Sequence, residues 1–150
     1  MFYTITGSNK KQRVLADTAV AFAVERLSLP DKVTINVKLS RARLEDGNYG
    51  YCDYQGTYYR RHIVDIVVHS LLSESEFVST IFHELKHAEQ FCDGSLSPDL
   101  VSWKGRDYSE SNAYRSLPWE ISARGFEERL LNRWYDVYGE FENTETSDAS

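Results

Sequence analysis

The chain has 150 residues, of which 41% are hydrophobic, and this suits one compact domain with its own core. The formal net charge of -6 disfavours a nucleic-acid partner, because phosphate contacts need a basic face and the Arg60-Arg61 cluster is too short to supply one. No apolar run approaches membrane-spanning length and no export leader is evident, so we predict a cytoplasmic protein without a membrane partner. In that compartment Cys52 and Cys92 are expected as free thiols, a single disulfide being the alternative.

The first half of the chain is predicted to alternate between strands and a helix. A short strand over 2–6 precedes a helix over 10–28, in which apolar residues recur at three- and four-residue spacing until Pro30 stops it. Strict alternation over 33–39 indicates a half-buried strand. Residues 49–59 are rich in tyrosine and interrupted by glycines, which predicts a hairpin or an irregular strand pair.

The middle of the chain carries the strongest strand and helix signals. Residues 62–69 are apolar on both faces, so this strand is expected to be well covered. Ser73 and Glu76 have the spacing of a capping box and predict the start of a helix. That helix should run to about Cys92 and end near Gly94.

The remaining residues are predicted to form a long loop, a final helix and a tail. Residues 95–116 indicate loop, with a small hairpin around 103–106, and an apolar stripe predicts a helix over 118–138. Residues 143–150 are polar and are expected to be disordered. We therefore predict a single domain over 1–142.

The motif His83-Glu84-Leu85-Lys86-His87 lies within the predicted middle helix. Two histidines four positions apart share one helix face, so both imidazoles can reach one zinc ion. Glu84 projects beside them and can take a proton from water activated by the metal. The alternative is an exposed helix face on which both histidines are merely solvated.

The third ligand is predicted to be Glu120, with His69 and Asp93 as weaker candidates. His69 ends a strand, and Asp93 lacks the preceding glycine that would turn the chain back to the metal. Glu120 stands in the first turn of the last helix, where the helix dipole favours a carboxylate, and the small Ala123 lets that helix lie close to its neighbour. Glu127, two turns on, is interpreted as a solvated acid, the alternative being a hydrogen-bond partner for a ligating histidine.

The chain resembles the zincin metallopeptidases, and more narrowly the small gluzincin-like metallopeptidases of phage and bacterial genomes. The resemblance covers roughly residues 62–130 and rests on three segments. They are His83–Ala88 with Gln90, Trp103–Gly105, and Tyr114 with the Pro-x-Glu-x-x-Ala pattern of Leu117–Arg124. The resemblance implies an α+β, zincin-like fold with an N-terminal helix, a small mixed sheet, the motif helix and a C-terminal helix. It implies a host-cytoplasm location if the protein is phage-encoded.

The resemblance also implies a function, hydrolysis of peptide bonds in a peptide or protein substrate by a Zn2+-activated water. His83, His87 and Glu120 would bind the metal and Glu84 would be the general base. Tyr114 is the first candidate to stabilise the oxyanion, with Tyr108 and Arg115 as alternatives. The strand over 62–69 is expected to help shape the substrate groove.

Two other classes remain open at this point. One is a zinc-binding interaction module without turnover, which would need the two histidines and Glu120 but not Glu84. The other is a metal-free structural or regulatory protein with a chance motif. The sequence leaves the substrate and the oligomeric state undetermined.

Overall fold

The computed structural model describes residues 1–111 and 113–139, so the predicted disordered tail lies outside the described residues. Those residues form three α-helices, a four-stranded sheet and a small hairpin. The strands are β1 (Phe2–Gly7), β2 (Val33–Ser40), β3 (Gly50–Tyr58), β4 (Arg61–His69), β5 (Ser102–Trp103) and β6 (Arg106–Asp107). The helices are α1 (Lys10–Val24), α2 (Glu74–Cys92) and α3 (Pro118–Tyr138).

The main sheet is mixed, with strand order β1-β2-β4-β3. Strands β1, β2 and β4 are parallel, and β3 runs antiparallel to β4. Alternate residues of β2 and β4 are buried beneath the helices: Val33, Ile35, Val37, Leu39, Val64, Ile66 and Val68. The α+β class and the small mixed sheet are therefore confirmed.

Helix α2 lies at the centre of the fold and contacts α1, α3, β3 and β4. Its start is set by the predicted capping box, in which the Ser73 hydroxyl accepts from the Glu76 amide at 3.2 Å and the Glu76 carboxylate accepts from the Ser73 amide at 3.3 Å. Its apolar face is fully buried through Phe77, Phe82 and Leu85. This packing holds the polar edge of α2 between the sheet and α3.

The predicted helix over 10–28 ends four residues early, at Val24. The backbone then leaves the helix axis, and the Ser28 amide donates to the Glu89 carboxylate of α2 at 2.6 Å. The helix closes in a local turn, in which the Arg26 amide donates to the Ala23 carbonyl at 2.9 Å, and the local apolar spacing does not encode this turn.

The predicted strand pair within 49–59 is wrong, because this segment is the single strand β3. A bulge between Tyr54 and Gly56 produces the irregularity. The hairpin turn comes later, at Tyr59 and Arg60, whose φ values are 50° and 65°. Neither residue is a typical turn residue for that conformation, so the sequence signal points to the wrong place.

Strand β4 has no free edge. It is paired with β2 on one side and β3 on the other. Strand β3 occupies the outer position in the sheet beside β4, and it also contacts α2. The predicted last helix and the small hairpin around 103–106 are both confirmed.

None of the helices within 1–111 and 113–139 combines the length and the apolar character needed to cross a bilayer.

Candidate metal centre

Helices α2 and α3 bring the three predicted ligands together. Helix α3 runs antiparallel to α2, because Gln90 near the end of α2 contacts Trp119 at the start of α3, whereas His83 contacts Glu127, about two turns further along α3. Ala123 is fully buried, and its small side chain allows the two helices to approach closely. Glu120 is consequently buried against both histidines.

The three side chains converge through the Nε2 atoms of His83 and His87 and the carboxylate of Glu120. Nε2 of His83 is 3.0 Å from Oε1 of Glu120, and Nε2 of His87 is 3.2 Å from Oε2 of Glu120. The two Nε2 atoms are 3.2 Å apart. Ligands about 2.0–2.1 Å from a tetrahedral zinc ion are separated by about 3.3 Å, so this spacing fits a shared ion. In the part of the chain that the structure describes, these residues are the one such group of three.

The other ring nitrogens are both held by acceptors. Nδ1 of His83 is 2.6 Å from Oε1 of Glu127, and Nδ1 of His87 is 2.7 Å from Oε1 of Gln90. The Gln90 amide is oriented by its own NH2 group, which donates to the Trp119 carbonyl at 3.1 Å. Since a carboxylate and an amide oxygen only accept, both Nδ1 atoms donate and both Nε2 atoms are left to face Glu120.

Glu127 and Gln90 change the interpretation made from sequence. Glu127 is not a solvated acid but the partner of His83. Sequence reasoning missed Gln90, which is 2% exposed. Its position three residues after His87 on the same helix was the available signal, because residues at that spacing are neighbours on a helix surface.

The ionisable side chains of the centre shift one another's pKa values. Burial lowers the pKa of His83, but hydrogen bonds to Glu120 and Glu127 outweigh it and raise that pKa to about 10. Burial raises the pKa of Glu120, and the hydrogen bonds with His83 and His87 reverse this and hold it well below its ordinary value. The pocket therefore stabilises a positive charge between these side chains.

Glu84 lies beside this cluster and is 7% exposed. Burial raises the pKa of its carboxyl, and the neighbouring His87 and His83 partly offset that effect. Among the described residues, no hydrogen bond or ion pair occupies its carboxylate, although it borders the cavity. A buried, unpaired carboxylate with a raised pKa is suited to proton transfer.

Gly50 is what allows β3 to lie close to Glu84. A Cβ atom at Gly50 would come within 2.8 Å of Thr80 Cγ2, 2.9 Å of the Val67 carbonyl oxygen and 3.4 Å of Glu84 Cγ. Any larger residue would have to push the strand away from α2. Gly50 therefore sets the width of the cavity on the side of the general-base candidate.

Tyr114 belongs to the same cavity. It lies in a short 3-10 turn (Tyr114–Ser116) just before α3, and although 63% of the residue is exposed, it lines the cavity and lies near enough to Glu120 for that carboxylate to affect its pKa. Burial of the hydroxyl and the negative charge of Glu120 raise the pKa of Tyr114, so the group stays a protonated donor at neutral pH.

The remaining ligand candidates are engaged elsewhere. Nδ1 of His69 lies 3.3 Å from the Ser40 carbonyl oxygen at the end of the sheet. The Asp93 carboxylate caps the turn after α2, where it accepts from the Ser95 amide at 2.8 Å. Neither residue borders the cavity.

The two other oxyanion candidates also lie outside the cavity lining. The ring of Tyr108 packs edge-on against Trp119. The Arg115 carbonyl accepts from the Arg124 guanidinium. Among the three candidates that the sequence suggested, Tyr114 is thus the one placed at the cluster.

The cavity has a volume of about 520 Å3. One wall is β3 with the preceding loop, the floor is α2, and the opposite wall comes from the segment between α2 and α3. The lining residues are Asn48, Tyr49, Gly50, Tyr51, Cys52, Ser79, Thr80, His83, Glu84, His87, Phe91, Leu100, Tyr114, Leu117, Trp119, Glu120 and Glu127. The formal charges that line it at neutral pH are acidic apart from the two histidines.

No protein-family model, curated protein or solved structure matches this chain.

Proposed function

We propose that the protein is a zinc-dependent metallopeptidase of zincin type. His83, His87 and Glu120 hold the ion, Glu84 is the general base and Tyr114 assists at the carbonyl oxygen. The observation that carries the proposal is the mutual approach of three acceptor groups to 3.0–3.2 Å, while both Nδ1 atoms are already used as donors.

A protonated cluster accounts for this arrangement less well than a metal ion. One proton on His83 satisfies its contact with Glu120 but leaves Nε2 of His87 facing a second carboxylate oxygen. Protons on both rings would place two positive charges on nitrogens 3.2 Å apart in a buried site. A single divalent ion neutralises Glu120 and accepts both nitrogen lone pairs at once.

The donor set favours zinc among the divalent ions. Two imidazole nitrogens and one carboxylate are ligands typical of catalytic zinc sites, which keep a fourth position for water or substrate. The outer contacts from Glu127 and Gln90 match the usual support of such histidines, since they fix which nitrogen faces the metal.

The proposed reaction divides the work between three side chains. A zinc ion held by His83, His87 and Glu120 would supply Lewis acidity, lowering the pKa of a water molecule and polarising the carbonyl of the substrate. Glu84 removes a proton as the water oxygen attacks the carbonyl carbon, and it returns that proton to the amine as the C–N bond breaks. The Tyr114 hydroxyl donates to the carbonyl oxygen as negative charge develops there.

The sheet supports a peptide or protein as the proposed substrate. The outer edge of β3 borders the cavity and offers unpaired backbone groups to an extended chain. Main-chain pairing to a free edge suits a peptide or an unfolded protein segment.

The first test is the zinc content of the purified chain, measured by elemental analysis after dialysis against zinc and then against buffer. We expect one zinc per wild-type chain, none in Glu120→Ala and one in Glu84→Gln, since only the first variant loses a ligand. A wild type that holds no zinc would overturn the proposal.

The second test separates an enzyme from a zinc-binding module. A mixture of unlabelled peptides is incubated with zinc-loaded wild type and with Glu84→Gln, and new termini are identified by mass spectrometry. Cleavage by the wild type alone supports the peptidase. Zinc binding with no cleavage by either protein would favour the inactive module.

A further inference from the structure

Leu100 holds an apolar side chain in the cavity from an unfavourable backbone conformation. Its φ is 64°, in the left-handed region, and the residue is 50% exposed. It lines the cavity together with Leu117 and Trp119. A branched residue in that conformation costs free energy that glycine would avoid.

Among the described residues, positive φ occurs at six glycines and at six non-glycine residues. Leu100 is the one of those six non-glycine residues that borders the cavity. Leu100 is also too exposed to be held in place by core packing. The leucine side chain is therefore not explained by the folding of its own turn.

The turn itself is held firmly. The Leu100 amide donates to the Ser97 carbonyl at 2.9 Å. The Ser97 hydroxyl donates to Asp99 at 2.7 Å and accepts from the Val101 and Ser102 amides at 3.2 and 2.9 Å. These bonds impose the backbone conformation, so the side chain of Leu100 points where the turn directs it.

The charges around the cavity indicate which side chains it excludes. Glu84, Glu120 and Glu127 line it, and no lysine or arginine of the described residues does. With one divalent ion bound, an acidic side chain would still meet uncompensated carboxylates. The wall of Leu100, Leu117 and Trp119 instead offers apolar surface.

We propose that Leu100 is a specificity-determining residue that selects substrates with a bulky aliphatic or aromatic side chain next to the cleaved bond. This inference rests on the proposed metallopeptidase function. Leu100 contributes affinity by covering that side chain, and its backbone strain is retained because the contact is made only with substrate.

The test compares two metal-chelating probes on zinc-loaded protein by titration calorimetry. One is a dipeptide hydroxamate with an isobutyl side chain beside the chelating group, and the other is the matched glycine analogue. We expect wild type to prefer the isobutyl probe by about tenfold or more, since a covered leucine side chain supplies that much affinity. Leu100→Ala and Leu100→Gly should both lose most of this preference while binding the glycine analogue within about twofold of wild type.

The two variants also separate the side chain from the backbone. Leu100→Gly should melt at a higher temperature than Leu100→Ala in the metal-free protein, because only glycine relieves the left-handed conformation. Equal loss of affinity for both probes, or an unchanged preference in both variants, would overturn the role of Leu100 while leaving the zinc site intact. Absence of zinc from the wild type would overturn this inference together with the proposed function.

Discussion

The four histidines fall into two regions that differ in how their rings are held. His62 and His69 stand at the two ends of β4, and each has one hydrogen-bond partner, the Tyr54 hydroxyl at 2.7 Å and the Ser40 carbonyl at 3.3 Å. His83 and His87 on α2 are engaged through both ring nitrogens.

The difference separates structural histidines from candidate ligands. A single partner satisfies a half-buried ring in the sheet. On α2, one nitrogen of each ring donates to an acceptor outside the cluster, and the other is thereby turned toward a common centre. Engagement of both nitrogens, with the inner pair converging on a carboxylate, is the pattern expected of metal-binding histidines.

Removing a ring from each region should give opposite results. Loss of a hydrogen-bond partner behind a ligand costs up to about 100-fold in metal affinity. His87→Ala removes a ligand itself, so its zinc affinity is expected to fall by more than about 100-fold. In His69→Ala, the affinity should stay within about twofold of wild type. Competition with a chromophoric chelator measures both. A similar loss in the two variants would abolish the distinction.

The carboxylate behind His83 should matter less than the ligands. Glu127→Ala is expected to weaken zinc binding by about 10–100-fold, because Nδ1 of His83 loses its acceptor. Glu127→Gln, which keeps an acceptor oxygen, should lose less. Glu128→Ala, which removes an exposed acid next in sequence on α3, is the matched control. Equal effects at positions 127 and 128 would show a general charge effect instead.

The amide behind His87 is expected to have a comparable or smaller effect. Gln90→Leu removes the acceptor for His87 and the donor to the Trp119 carbonyl, so zinc affinity should fall by about tenfold and the absorption bands of the Co2+-loaded protein should shift. Gln90→Glu keeps an acceptor and should fall between Gln90→Leu and wild type. An unchanged spectrum and affinity in Gln90→Leu would mean that Gln90 only packs.

The histidine at the start of β4 should affect stability alone. His62→Phe removes the hydrogen bond with Tyr54, and the free energy of unfolding is expected to fall by about 1 kcal/mol. Urea denaturation of the metal-free protein measures that change, and zinc affinity serves as the control. Any marked weakening of zinc binding would contradict the separation of the two regions.

The sequence predicted best the elements whose ends carry their own signals. Helix α2 begins at the Ser73 capping box, and α3 begins with Pro118 in its first turn, so both starts were predicted correctly. The predictions for the end of α1 and for the strand pair within 49–59 were wrong. Helix α1 closes in a turn at Glu25 and Arg26, and the hairpin after β3 turns at Tyr59 and Arg60, and none of these four residues is a typical turn residue.

The residues of the candidate site also divide into those with a local sequence signal and those without one. The spacing of His83 and His87 placed both rings on one helix face, because helix periodicity is a local property. Glu120 was predicted from a resemblance, since 33 positions separate it from His87 and no local rule spans that distance. Gln90 and Leu100 were not recognised as site residues, because nothing in their own neighbourhood distinguishes them from packing or loop residues.

The α+β class, the capped helix α2 and the placement of two histidines with Glu84 on that helix could all be predicted from sequence. Each depends on backbone hydrogen bonding and side-chain spacing within one segment. The meeting of Glu120 with both histidines, the contacts of Glu127 and Gln90 with the outer ring nitrogens, and the position of β3 at the edge of the sheet are visible only in the folded chain. Those relations arise from how α3 and the sheet pack against α2, and packing depends on surfaces contributed by residues far apart in the chain.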